Sequence, residues 1–201
     1  MKLYYAPKSR AVRVAWCLEE LGLEYEIEKY TLGDPRMRTP EYRAVHPMGR
    51  VPALEDGQEP MVESGAIIQY LLARYGNGRL QPAVDSDEFQ PFLQWFHYCE
   101  GMVMPPMNQL VVETILLPED RRSEPHAKRA TKLLTQMLMA VEAHMQGRDY
   151  LLSTFSAADL MTGHSVIMAR RLGADFTNYP ALSAYADRLE ARPAFQRAEN
   201  L

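Results

Sequence analysis

Val51-Pro52 and, about a dozen residues later, Glu63-Ser64 are the residues of this chain whose types and spacing could do chemistry. An X-Pro bond adopts the cis form at modest cost. A cis Val51-Pro52 bond would turn the Val51 backbone groups outward, where an extended peptide could pair with them. Proline has no N–H, so Pro52 also ends strand pairing on that side. Ser64 stands directly before an apolar-periodic run and is placed to cap a helix there. A hydroxyl, free backbone N–H groups and the positive end of the helix dipole then favour an anion.

Other chemistries are disfavoured. The two cysteines, Cys17 and Cys99, lie far apart with no C-x-x-C or metal-ligand spacing, which argues against a disulfide scaffold, a zinc site or any other metal centre. Formal net charge is −4, and lysine and arginine are scattered. The densest basic cluster, Lys128-Arg129 beyond Arg121-Arg122, is interrupted by Glu124 and reads as a solvated helix face, so no nucleic-acid partner is expected. No apolar run approaches the roughly 20 residues needed to span a bilayer, and the first ten residues lack the apolar core of a signal peptide. A cytoplasmic location, away from membranes, is expected.

The elements that must position these residues follow from periodicity. Lys2–Tyr5 is a short β-prone run; Ala6-Pro7-Lys8 breaks it; and Val14, Leu18 and Leu21 recur at helical spacing before Gly22 stops the helix. Tyr25–Tyr30 then alternates with period two. This β-α-β unit predicts two parallel strands with a right-handed crossover. Residues 31–50 read as a long loop with at most a short helix near Glu41–Val45. Val51–Glu55 and Pro60–Glu63 flank the turn pair Asp56-Gly57 as a hairpin, and a helix runs from Ser64 to about Tyr75. Helix breakers fill 77–85. Beyond them only helical spacing remains, with Ala130, Leu134, Leu138, Val141 and Met145 marking one long helix and Leu160, His164, Ile167 and Met168 another. An α/β thioredoxin-like domain over 1–76, a linker over 77–85 and an all-helical domain over 86–201 are predicted. Ser156-Ala157-Ala158-Asp159, with Phe155 and Leu160 beside it, has the spacing of a capping box with a hydrophobic staple, a folding device.

This layout resembles the soluble glutathione transferases, and specific segments carry the resemblance. His46-Pro47-Met48-Gly49-Arg50-Val51-Pro52-Ala53-Leu54 is similar to the family's Asn-Pro-x-Gly-Lys-Val-Pro-x-Leu, and Glu63-Ser64-x-Ala66-Ile67 to its Glu/Gln-Ser-x-Ala-Ile helix start. The Ser156 box is similar to the one that opens the buried helix of the family's second domain. Ser9-Arg10-Ala11-x-Arg13-x-x-Trp16-x-Leu18-Glu19-Glu20-Leu21 resembles the bacterial and fungal Ser-Arg-Ser-type members. The likeness covers nearly the whole chain and is weakest across 105–130.

The resemblance implies glutathione as co-substrate. The peptide's backbone would pair with Val51 beside Pro52, its γ-glutamyl carboxylate would meet Ser64 and its ammonium Glu63, while Arg50 would take the glycyl carboxylate. For the thiolate, Ser9 at the first helix start is the favoured donor and Tyr5 at the end of the first strand the alternative. Cys17, two turns inside that helix, reads as structural, and His97 as a surface or interface histidine. The resemblance also implies conjugation to small apolar electrophiles, with Tyr98, Met102, Met104 and Met107 as an adaptable apolar wall, Pro105-Pro106 bending the helix beside it, and a homodimer. The alternative is a non-catalytic binding or regulatory protein on the same fold, favoured by Ala6, which falls at the serine position of theta-like enzymes and cannot donate.

Overall fold

The β-prone run Lys2–Tyr5 and the alternating segment Glu26–Lys29 form two parallel strands, β1 and β2, joined through helix α1 (Ala11–Leu21). The computed structural model describes residues 1–201. Gly22 ends α1 at φ 65°, a left-handed conformation that glycine adopts without penalty, and its N–H closes on the Glu19 and Leu18 carbonyls. The hairpin strands are shorter than the expected Val51–Glu55 and Pro60–Glu63: β3 spans Ala53–Glu55 and β4 Met61–Val62, and the sheet order is β2-β1-β3-β4 with β3 antiparallel to both neighbours. Pairing starts at Ala53, opposite Tyr4. The stretch read as a long loop holds a short 3-10 turn, Pro35–Arg38, and helix α2, Pro40–Val45, each with a proline in its first turn and a side-chain cap, from Asp34 and Thr39 respectively. Helix α3 (Ser64–Tyr75) buries Ile67, Ile68, Leu71 and Leu72.

The chain divides into two compact units, residues 1–82 together with 191–201, and residues 83–190. The C-terminal residues assigned from sequence to the helical domain therefore fold with the sheet. Helix α9 (Pro193–Glu199) packs on α1: the Phe195 ring meets Trp16 edge-on at 4.8 Å between centroids, the Arg192 guanidinium donates to both Glu20 carboxylate oxygens, and Arg197 donates to Glu19. Each tie joins residues more than 170 positions apart, a separation that local periodicity cannot register.

Residues 83–190 are helical. Helix α4 (Phe89–Tyr98) runs through a wide π turn at Cys99–Val103 into α5 (Met104–Val111). Pro105 and Pro106 directly follow the π turn and, lacking N–H groups, leave the Gly101 and Met102 carbonyls without the usual i−4 donors, so the ladder is interrupted where the helix widens. The long helix α6 is Glu124–Met145, α7 is His164–Arg171 and α8 is Pro180–Glu190. The Ser156 box forms as its spacing predicts: the Ser156 N–H donates to Asp159 Oδ2 at 2.8 Å, and the Ser156 hydroxyl accepts from the Ala158 N–H. Asp159 is fully buried and also accepts from the Leu151 N–H and the Tyr185 hydroxyl. Burial pushes its carboxyl pKa up while these donors pull it down. Its oxygens are spent on the chain itself, which makes the role architectural. No helix is long and apolar enough to cross a membrane.

Candidate functional site

Unusual backbone lies at the start of β3 and at the start of α3, as it also does at Lys8, Asn77 and Leu80. The Val51-Pro52 bond is cis. Gly49, two residues earlier, has φ 60°, and a Cβ there would lie 2.3 Å from the Met37 carbonyl oxygen; no other residue fits this approach. The Gly49 N–H donates to the His46 carbonyl at 2.8 Å, and the buried Tyr42 hydroxyl donates to the Arg50 carbonyl at 2.7 Å.

Glu63 holds φ 73° and ψ 111° immediately before α3. For a residue with a Cβ such a conformation costs on the order of 1–3 kcal/mol and persists only where the surroundings impose it. Its effect is to place Glu63, not Ser64, at the N-cap position. Ser64 is the first helical residue, and no side-chain cap bond forms. The expectation that Ser64 caps the helix is thereby corrected: its hydroxyl is free of that duty. Ser64 is buried, and its hydroxyl accepts from Arg13 Nη1 across 3.4 Å, near the limit of a hydrogen bond. Arg13 is only 1% exposed. A buried guanidinium and a helix N-terminus thus converge on Ser64, a corner suited to an anion. Sequence reasoning passed over Arg13 except as part of a helix motif. The available signal was a charged residue flanked by Val12 and Val14 on the apolar side of α1.

Arg50 and Glu63 are exposed at the ends of this stretch. Val51 packs against the cluster of Tyr4, Ala6, Tyr30, Met37, Tyr42 and Ala53. Ser9 follows from the same cluster, since its hydroxyl donates to the Ala6 carbonyl at 2.7 Å while accepting from the Ala11 N–H at 3.0 Å. It serves the helix start as it stands, and donation to a sulfur requires its proton to leave Ala6. Tyr5 is corrected as a thiol-activating candidate. It is fully buried, its hydroxyl donates to the Ala198 carbonyl of α9 at 2.9 Å, and burial pushes its pKa up to about 12. Cys17 is fully buried and burial drives its thiol pKa upward, so it is inert. His46 is buried with no partner for Nδ1, and burial lowers its pKa.

In the helical unit the four wall residues separate. Met104 and Met107 are buried core, since their spacing turns them inward along α5, and they form no open wall. Tyr98 is half-buried and donates to the Met137 carbonyl at 3.0 Å. Met102 is 49% exposed. His97 is exposed.

Residues 3–79 match the family described as glutathione S-transferase, N-terminal domain, and residues 103–193 the glutathione S-transferase, C-terminal domain. Glutathione S-transferase 3 of Zea mays is 32% identical over 98% of this chain and 92% of its own length. Disulfide-bond oxidoreductase YfcG of Escherichia coli is 29% identical over 98% of this chain and 93% of its own. Among solved structures, a glutathione transferase from Pseudomonas putida with one glutathione disulfide bound per subunit superposes with a TM-score of 0.89 at 25% identity, covering 100% of this chain and 90% of that one.

Proposed function

This chain belongs to the glutathione S-transferase family, and on that premise we propose that it binds glutathione along residues 50–64 and presents the thiolate to small apolar electrophiles. The observation that carries the reading is the corner where buried Arg13 and the first residue of α3 meet at the Ser64 hydroxyl. The γ-glutamyl carboxylate binds there, with the Glu63 carboxylate taking the ammonium. The cysteinyl backbone pairs with Val51, and Arg50 takes the glycyl carboxylate. Held so, the cysteinyl sulfur meets the start of α1. There the Ser9 hydroxyl exchanges the Ala6 carbonyl for the sulfur and, with backbone N–H groups, stabilises the anion, as in the Ser-Arg-Ser-type members the sequence resembles. The thiol proton passes to water. The thiolate then forms a C–S bond with the electrophile as a leaving group departs or an activated double bond takes up a proton. We place the protein in the cytoplasm as a homodimer; light scattering at micromolar concentration should return twice the chain mass, and a monomer refutes that part.

The test is calorimetric binding of glutathione combined with conjugation of a chloronitrobenzene-type electrophile, with reduction of a small disulfide measured alongside. Binding with conjugation supports the reading. Binding without conjugation supports a non-catalytic or reductive role, which the present commitment of the Ser9 and Tyr5 hydroxyls to backbone carbonyls favours as the second reading.

A further inference from the structure

Tyr42 has no place in the glutathione contacts above, yet its hydroxyl is tied to the backbone that makes them. The ring is fixed on the sheet side by Tyr30 and Tyr4, at centroid distances of 4.9 and 5.8 Å, and the residue is only 4% exposed. From that fixed point the phenol donates to the Arg50 carbonyl at 2.7 Å. Burial pushes its pKa up to about 12, so it remains a donor throughout the neutral range.

The consequence lies in the peptide unit that Arg50 shares with Val51. In a trans peptide the carbonyl of one residue and the N–H of the next point in opposite directions. A carbonyl drawn inward to Tyr42 therefore turns the Val51 N–H away from the aromatic cluster. The N-terminal side of the same segment is fixed as well, by the Gly49 N–H on the His46 carbonyl and by the close approach of Gly49 to Met37. Sheet pairing begins only at Ala53, so the ladder does not set the orientation of the Val51 amide.

We propose that Tyr42 is a positioning residue for ligand binding: its hydroxyl sets the Arg50–Val51 peptide plane and thereby aims the Val51 N–H at the backbone of a bound peptide thiol. This rests on the reading that glutathione binds at Val51 and Ser64, and the experiment separates the two.

Tyr42→Phe keeps the ring in the cluster and deletes the donor. Tyr30→Phe is the control, because the Tyr30 hydroxyl bonds to Glu28 and not to the loop. Ser64→Ala tests the underlying site. Glutathione affinity is measured by calorimetry at low temperature, where a destabilised variant stays folded, alongside melting temperature and the amide resonance of Val51. The expected result is a five- to tenfold loss of affinity in Tyr42→Phe, a displaced Val51 resonance, no change in KM for the electrophile, and unchanged affinity in Tyr30→Phe. Unchanged affinity in Tyr42→Phe while Ser64→Ala weakens binding overturns the positioning role alone. Equal losses in Tyr42→Phe and Tyr30→Phe also overturn it, since general softening of the cluster then accounts for both. If Ser64→Ala leaves affinity intact, the site itself is misplaced and the role of Tyr42 falls with it.

Discussion

Ser64→Ala separates binding from folding at the anion corner, because the hydroxyl has so little to do in the protein alone. It forms no cap bond, and its contact with Arg13 is 3.4 Å long. Alanine keeps the backbone N–H and the helix dipole, and it gains a few tenths of a kcal/mol in helix propensity. Four buried aliphatic residues hold α3 in place. The net folding cost should therefore stay below about 1 kcal/mol, a melting shift of roughly 2–4 °C for a chain of this size. Bound glutathione loses a hydrogen bond to a carboxylate, worth about 1.5–3 kcal/mol. Affinity should fall about 10- to 150-fold. Isothermal calorimetry at fixed salt and scanning fluorimetry on the same samples measure the two quantities. Affinity unchanged within twofold would falsify the assignment of the anion corner, and a melting loss beyond about 10 °C would show that the hydroxyl holds up the fold after all.

Ser9→Ala should raise the pKa of bound glutathione thiol by about one unit, read from thiolate absorbance against pH, whereas Tyr5→Phe, whose hydroxyl faces α9, should not move it. Asp159→Ala strands the Leu151 N–H, the Ser156 N–H and the Tyr185 hydroxyl together and should destabilise the fold by about 3–5 kcal/mol in urea titration; a loss under 1 kcal/mol contradicts its architectural role. His46 has a pKa lowered by burial, so the unfolded chain binds its proton first. Its contribution to stability is full well above the unfolded value of about 6.5 and declines as pH falls through that value, levelling off below the depressed folded one. Chemical denaturation between pH 8 and 5 should show this fall in the wild type and a smaller one in His46→Asn.

What the sequence disclosed depended on how local each signal was. The β-α-β unit, the span of α3 and the capping box each follow from a handful of neighbouring residues, and they appear where periodicity placed them, whereas the Val51-Pro52 dipeptide only permitted the cis bond that the structure contains. Period alone could say that Met104 and Met107 share a face, but not that other helices cover it. Tyr5 read as a plausible donor because the helix that occupies its hydroxyl lies more than 190 residues away. The return of residues 191–201 to the sheet, and the burial of Arg13, likewise rest on contacts with no counterpart in local spacing. Ser64 was misplaced by one position because the Glu63 backbone takes a conformation that its residue type does not announce.

Buried polar groups can be sorted by how completely the chain itself satisfies them, and the sorting separates architecture from binding. Asp159 receives donors from Leu151, Ser156 and Tyr185 and has little left to offer. Tyr5 gives its one proton to α9. Ser64 differs, with a hydroxyl that is buried but engaged only at the limit of bonding distance. The buried side-chain atom with no partner at all, His46 Nδ1, lies in the same short stretch of chain. That stretch also contains Glu63, whose positive φ carries a cost, for a residue with a Cβ, that its local contacts must offset. The chain thus satisfies Ser64 less fully than it satisfies Asp159. On the proposed reading an anionic ligand would supply the bond that Ser64 lacks; strain by itself does not mark the site, because Lys8, Asn77 and Leu80 also hold positive φ.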